Sequence, residues 1–260
     1  MAQHPLTAVA RSSRKKPHVI DYYSTSAEFY DLVAARHVAS SGPALAAVLA
    51  DVDPAAGPVV EIGAGTGRVT QVIARTLPIA DIVAAEPSAT MRAVLSSRIA
   101  CDADLRRRVT VTDGSAQDMD LPERISAAVV FGVAGHLRPH ERAALWQRLA
   151  ERLAPGGLIA VELMGTAVPR AMPPTLSLRE TVGRQEYEWW MAAEPVGDDR
   201  TRFTTTWKVL RDGQVVRQVA DSYEWHAYDI GTLARETDLT VRHITHVGGH
   251  VVPQIGVLAA

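Results

Sequence analysis

The sequence predicts an α/β fold: a seven-stranded, mostly parallel sheet with helices on both faces, an N-terminal helical lid and an antiparallel β insertion after the fifth strand. Three observations predict it. The β-branched stretch Val59–Ile62 runs into glycines at 63, 65 and 67, and a helical pattern follows from Arg68 to Leu77. Strand-like and helix-like segments then alternate as far as Leu163, the pattern of a parallel sheet covered on both faces. Residues 185–224 break that alternation and read as antiparallel strands, with a type I′ turn signal at Asp212-Gly213.

Residues 1–17 are expected to be a disordered tail. A helix is expected over Ala27–Val38, capped by Ser26 or Thr25, with Phe29, Leu32 and Val33 at helical spacing. A second helix is expected from Pro43 to Asp51. Beyond the glycines come a strand at Asp81–Ala85, a helix from Ser88 to Arg98, and strands at Arg108–Thr112 and Ala127–Phe131. A helix from Pro139 to Leu153 is closed by Pro155-Gly156-Gly157, and Leu158–Leu163 is the next strand. Pro169, Pro173 and Pro174 then break regular structure. The Asp212-Gly213 turn predicts pairs Val209–Val216, Trp207–Gln218 and Thr205–Ala220, and puts Phe203, Thr205, Trp207 and Val209 on one face. A helix at Asp229–Thr237 returns the chain to the main sheet. Strands near Thr240–His246 and His250–Leu258 close it as an antiparallel pair. The expected organisation is thus 18–165 with 229–260 as the main domain, and 166–228 as a substrate cap.

Composition excludes several classes. With 260 residues, 47% of them hydrophobic, the chain can bury one α/β core with an insertion. A net charge of −2 gives no global pull toward nucleic acid or membrane. Arg11, Arg14, Lys15 and Lys16 read as part of a solvated tail. A single cysteine, Cys101, allows no internal disulfide and fits a cytoplasmic location. No apolar run approaches the roughly 20 residues of a membrane helix, and no apolar segment of a secretory signal follows the N-terminal charges.

The glycine turn is where chemistry is expected. Glycine permits positive φ and lacks the Cβ that would block a ligand against the backbone. The helix beyond it presents free N–H groups and a positive dipole end. A dinucleotide cradle has the spacing G-x-G-x-x-G. Here Glu61, Gly63, Ala64, Gly65 and Gly67 give E-x-G-x-G-x-G, which resembles motif I of the class I, Rossmann-like S-adenosyl-L-methionine-dependent methyltransferases. The resemblance covers roughly residues 20–165 and 229–258, and it implies that cofactor, with S-adenosyl-L-homocysteine as product.

Carried over residue by residue, the resemblance places the ribose hydroxyls on Glu86, in Ala85-Glu86-Pro87-Ser88. A carboxylate suits them, because a diol presents two donors; the other reading of Glu86 is a cap for the helix at Ser88. The adenine side matches Asp113–Met119. The family often has Asp where Ser115 stands; a serine hydroxyl also accepts, without charge, so Ser115 is a cofactor-binding candidate and the Ala116 backbone N–H the expected fixed contact. Asp118 either compensates or caps the following turn. Phe131 and Gly132 match the segment beside the methionine moiety. Leu153-Ala154-Pro155-Gly156-Gly157 matches a structural turn of the family. Upstream, Glu28-Phe29-Tyr30-Asp31-Leu32 resembles the cofactor-covering helix of the small-molecule members, where Tyr30 meets the cofactor's carboxylate.

The acceptor side is marked by aromatic residues. Of fourteen Phe, Tyr and Trp, only Phe131 and Trp146 fall within 31–186. Tyr22, Tyr23, Trp189, Trp190 and Trp207 are candidate substrate-binding rings that would exclude water and attract a sulfonium. Most of the insert's rings are expected to form its own core. His136 is the candidate general base, because imidazole titrates near neutrality; its alternative is a structural hydrogen bond. His243 and His246 share a strand but point to opposite faces, so with His250 they are not expected to hold a metal.

The expected activity is methylation of oxygen, nitrogen or carbon on a small-molecule acceptor, a specialised metabolite. The alternatives are an enzyme of this fold that cyclises or cleaves the cofactor, or uses its charge to promote a cyclisation, and a non-enzymatic cofactor-binding protein. Nucleic acid is not the expected partner. Phe131-Gly132-Val133-Ala134 replaces the Asp/Asn-Pro-Pro-Tyr of amino-methylating enzymes, and Cys101 follows Ala100 instead of the proline of cytosine-5 enzymes. No membrane partner is expected, and a homodimer is left open.

Overall fold

The computed structural model describes residues 23–164, 167–244 and 254–259. The tail, Tyr22, His246 and His250 lie outside them. Among the described residues there are eleven strands and six α-helices. The large sheet has seven strands in the order β10-β11-β5-β4-β1-β2-β3. They are β1 (Val59–Ile62), β2 (Ile82–Ala85), β3 (Val109–Thr112), β4 (Ile125–Val130), β5 (Leu153–Leu163), β10 (Thr240–Ile244) and β11 (Gln254–Ala259). Pairing is parallel from β5 through β4, β1 and β2 to β3. β11 runs antiparallel to both β5 and β10. The small sheet, β6 (Met172–Val182), β7 (Gln185–Pro195), β8 (Arg200–Arg211) and β9 (Gln214–His226), is an antiparallel meander between β5 and the helix α6 (Ile230–Glu236).

β1 and β4 are buried at every residue, as central parallel strands covered on both faces must be. Two cores flank the large sheet. One packs Leu45, Ile73 and Leu95 against Val59, Ile82 and Val129; the other packs Leu145, Trp146 and Leu149 against Val60, Ile125 and Ile159. The first comes from α1 (Ala27–Leu49), α2 (Arg68–Thr76) and α3 (Ala89–Ala100), the second from α5 (Pro139–Ala150). A third cluster joins Phe29 of α1 to Leu178, Trp207 and Val209 of the small sheet. The lid helix is therefore wedged between the two sheets.

Several sequence expectations are corrected. The two N-terminal helices are one, running through Pro43. Proline costs this helix one hydrogen bond and crowds the carbonyl four residues back, but the buried face Ser41, Gly42, Ala44, Leu45 and Leu49 keeps the helix continuous. This 23-residue helix has the length and composition to cross a membrane, yet a third of its most apolar window is buried and it packs on α2 and β11. A short helix, α4 (Ala103–Arg108), precedes β3; Asp102 caps it by accepting from Asp104 N–H at 2.8 Å and Leu105 N–H at 3.1 Å. The helix expected to reach Leu153 stops at Ala150, because Leu153–Gly157 already belongs to β5.

Within the insert, Pro173 and Pro174 do not prevent β6, which is an edge strand where a missing N–H is tolerated. The β8–β9 hairpin turns at Asp212-Gly213 as expected, with both φ values positive. A bulge beyond Leu210–Val215 shifts the register by one residue. Val209 pairs with Arg217, Trp207 with Val219 and Thr205 with Asp221. Thr205, Trp207 and Val209 are buried on one face, as the alternation requires.

Candidate active site

The floor of the site is the turn after β1. Gly63, Gly65 and Gly67 have φ of 68°, 55° and 85°. A Cβ on Gly63 would stand 2.3 Å from Val133 Cγ2, whereas one on Gly65 would meet only Tyr30 Cε1, at 3.9 Å. Gly63 is thus required by the protein's own packing. Gly65 leaves an approach to the backbone that Tyr30 covers from the lid. Gly67 closes the turn by donating to Ala64 O at 2.8 Å and opens α2.

Two carboxylates brace this turn. Glu61 is buried, and its Oε2 accepts from Thr70 Oγ1 at 2.6 Å. Desolvation pushes its carboxyl up to about 8; the Thr70 hydrogen bond opposes that and the nearby Glu86 adds to it. Glu86 accepts Gly65 N–H on Oε2 at 2.7 Å and Ser88 N–H on Oε1 at 2.8 Å. Both sequence readings of Glu86 therefore coexist: it faces the glycine turn and it receives the N–H of Ser88, the residue that caps α3.

Asp31 fastens the lid to this floor. It accepts from Thr66 Oγ1 at 2.8 Å, Arg68 Nε at 3.0 Å and Arg98 at 2.8 Å. Burial raises its pKa, but the hydrogen bonds from Arg68, Arg98 and Thr66 outweigh this and hold it at about 2. The sequence singled out Tyr30 on this helix and missed Asp31; an acid one turn of chain away from no obvious partner gives no local signal.

A cavity of about 470 Å³ opens over the turn. That lies within the range of small-molecule sites. Of the candidate residues, Tyr23, Tyr30, Glu61, Gly63, Ala64, Gly65, Phe131, Gly132, Trp189 and Trp207 line it. Gly67, Glu86, Pro87, Ser115, Ala116 and His136 stand outside its wall. Ser115 donates its N–H and its hydroxyl to Asp118 Oδ1, both at 2.7 Å, so Asp118 caps this turn. Trp190 is a correction. Neighbouring residues of a strand point to opposite faces, and Trp190 lies on the far side of β7 from Trp189. Its Nε1 donates to Glu188 at 2.8 Å and Lys208 sits 4.8 Å above its ring.

The wall opposite the floor is aromatic. Trp189 and Trp207 stack as a cross-strand pair at 6.1 Å, and Tyr223 and Trp225 of β9 continue the wall. His136 lies behind them, 4.9 Å from the Trp225 ring and 5.3 Å from that of Tyr223. It shares a 2.7 Å hydrogen bond with the Tyr23 hydroxyl. Desolvation lowers the imidazole to about 4. Burial raises Tyr23 well above its ordinary value and Tyr30 to about 12, so both phenols are neutral.

The sequence reading missed Glu162 and His37. Glu162 lies within the buried run of β5, with its side chain 1% exposed, and its Oε1 lies 2.6 Å from His37 Nε2. Both line the cavity, as does Asp221 of β9.

These residues fit S-adenosyl-L-methionine. Gly65 gives backbone access, Glu86 places an acceptor-only group behind the turn, and neutral rings face the space beyond. Residues 59–157 match a family model described as a methyltransferase domain. No curated protein matches by sequence. Among solved structures, DesVI of Streptomyces venezuelae superposes with a TM-score of 0.68 at 22% identity, covering 90% of this chain and 97% of that one. The sugar N-methyltransferase KedS8 from Streptoalloteichus sp ATCC 53650 gives 0.66 at 16%, over 100% and 98%. CalS10, an amino pentose methyltransferase from Micromonospora echinaspora, gives 0.65 at 17%, over 88% and 95%. Residues 59–157 are accordingly a methyltransferase domain, and the chain has the class I, Rossmann-like fold of the S-adenosyl-L-methionine-dependent methyltransferases.

Proposed function

We propose that the chain transfers a methyl group from S-adenosyl-L-methionine to a nitrogen of a small, polar specialised metabolite. The observation that supports this best is the continuity of the cavity: one space runs from Gly63 and Gly65 to Trp189, Trp207, Tyr223 and Trp225. A cofactor on the floor and an acceptor under the small sheet share it.

When bound, S-adenosyl-L-methionine supplies a methyl carbon activated by a sulfonium. The protein's part is to bind, orient and exclude water. The lid helix, fastened by Asp31, covers the floor with Tyr30. The rings of the small sheet keep water out and favour positive charge. Holding two reactants in line can be worth roughly 7–11 kcal/mol, so positioning supplies most of the rate.

Nitrogen is favoured because the candidate base His136 is a weak one. His136, held near 4 and set behind the wall, is poorly suited to deprotonate an alcohol. A neutral amine needs no such base, since its lone pair is already nucleophilic. KedS8 is a sugar N-methyltransferase, and CalS10 an amino pentose methyltransferase, on the same fold. The reading takes a small molecule as partner, in the cytoplasm, and neither nucleic acid nor membrane.

The test uses methyl-labelled S-adenosyl-L-methionine and paired acceptors, amino sugar glycosides and the parent glycosides with hydroxyl in place of amine. Label is expected in the amine member. Label in the hydroxyl member alone would overturn nitrogen as the target. Failure of calorimetry to detect S-adenosyl-L-homocysteine binding would overturn the methyl-transfer reading as a whole.

A further inference from the structure

Glu162 is the polar group that the methyl-transfer site leaves unexplained. Its side chain is 1% exposed, yet it lines the cavity. Oε1 meets His37 Nε2 at 2.6 Å. Oε2 is buried and finds no hydrogen-bond donor among the described residues. A buried carboxylate oxygen without a donor is costly, and such groups persist where a ligand or water completes them.

Its position says which part of the site it serves. Ile62 pairs with Val130, and Val130 with Val161, so Glu162 stands one residue beyond that row, level with the glycine turn. Strands are spaced by about 4.8 Å, which puts Glu162 roughly 10 Å across the sheet from Gly63. The ribose-side Glu86 follows β2, on the other side of β1. Glu162 therefore lies at the opposite end of the cavity from the ribose side.

We propose that Glu162, held in place by His37, is a subsite for a protonated or N–H-donating amine, received on Oε2. This deepens the methyl-transfer reading and rests on it for the meaning of the amine. The geometry selects an amine over a guanidinium. A guanidinium fork pairs with both carboxylate oxygens, and His37 already occupies one. An ammonium needs one acceptor and fills what remains. His37 matches this arrangement: burial lowers its pKa, but its hydrogen bond and charge interaction with Glu162 prevail and raise it. The other titratable groups that Glu162 influences are Tyr30 and Tyr228, whose phenols burial and its charge keep neutral. Tyr228 also donates to the Glu162 backbone carbonyl at 2.5 Å, fixing the strand end.

The test needs no knowledge of the natural acceptor. The His37 imidazole of the full chain is followed by proton–nitrogen NMR while methylammonium chloride is titrated, with sodium chloride as control. A cation on Glu162 opposes protonation of His37, so a saturable downward shift of the His37 pKa is expected with methylammonium alone. Glu162→Gln should abolish it. Absence of the shift in the wild-type protein, or its persistence in Glu162→Gln, would overturn the subsite. The wild-type arm decides the matter even if the variant does not fold.

Repeating the titration with S-adenosyl-L-homocysteine separates two sources of the amine. If methylammonium still shifts His37 with that compound bound, the subsite takes the acceptor's amine. If the compound alone causes the shift and methylammonium adds nothing, the amine is the cofactor's own α-ammonium. Should S-adenosyl-L-homocysteine fail to bind, the methyl-transfer reading falls, while the methylammonium titration still judges the subsite.

Discussion

Tyr23 and His136 are 113 positions apart, and a 2.7 Å hydrogen bond joins them. One stands just before the lid helix, the other in the turn that follows β4. His136 thus acts on the cavity through Tyr23, whose ring lines it. Because burial holds the imidazole at about 4, it is neutral throughout the physiological range. Tyr23→Phe and His136→Ala are expected to lower kcat by about tenfold each. The double variant should be little worse, since the two residues form one unit. Neither change should alter affinity for S-adenosyl-L-homocysteine, and the pH profile of kcat between pH 5.5 and 7 should have the same shape in His136→Ala as in the wild type. A kinetic pKa near 6.5 that vanishes in His136→Ala would restore the general-base role.

Glu86 carries a second expectation. Its carboxylate receives two backbone N–H groups, from Gly65 and Ser88. Glu86→Ala leaves both donors unsatisfied, which costs about 1–3 kcal/mol for each buried group. Calorimetry should show at least a tenfold loss of S-adenosyl-L-homocysteine affinity, and thermal unfolding should show a lowered but still cooperative Tm. Glu86→Gln keeps an acceptor for Gly65 and should recover much of the Tm with less of the affinity. Equal affinity in all three proteins would remove Glu86 from the ribose.

The cradle was legible in the sequence because its determinants are local: a buried strand, three glycines that take positive φ, and a helix start. Residues whose role depends on distant partners were not. Glu162 is one acid near the end of a buried strand, and only the folded chain brings it His37, 125 positions away on α1. Trp190 was misassigned because aromatic content does not say which face of β7 looks inward. Its neighbour Trp189 faces the cavity, and alternation then sends Trp190 away. Pro43 and Pro173-Pro174 misled for different reasons. Inside α1 proline forfeits one helical hydrogen bond and crowds the carbonyl four residues back, a cost that the buried face of the helix outweighs, whereas the edge strand β6 tolerates a missing N–H.

The glycines divide into structural and ligand-facing positions, and substitution separates them. In Gly63→Ala the new Cβ would lie 2.3 Å from Val133 Cγ2, at φ of 68°. Overpacking of about 1–3 kcal/mol adds to roughly 1–2 kcal/mol for left-handed backbone, so a clear loss of Tm is expected. In Gly65→Ala the nearest atom is 3.9 Å away, and only the backbone term applies. Gly65→Ala should therefore stay folded and lose S-adenosyl-L-homocysteine binding, because its methyl projects toward the cavity under Tyr30. Retained binding by Gly65→Ala would show that no ligand reaches this stretch of backbone.

Glu61 makes stability and binding depend on pH. Its carboxyl is held up at about 8 in the folded chain, chiefly by desolvation, against an ordinary value of 4.5. Between these values the folded state keeps a proton that the unfolded state releases. Stability therefore falls as pH rises from about 4.5 to 8, the direction opposite to that of a salt-bridged acid. Glu61→Gln cannot ionise and should flatten that slope in denaturant unfolding measured at several pH values. A cation bound over the turn favours the ionised form, so wild-type protein should release a proton when S-adenosyl-L-methionine binds at pH 7. Calorimetry in buffers of different ionisation enthalpy reads that proton directly, and Glu61→Gln should show none. A wild-type stability that does not change across this window, with no proton released on binding, would mean that Glu61 ionises in the folded chain as it does in water.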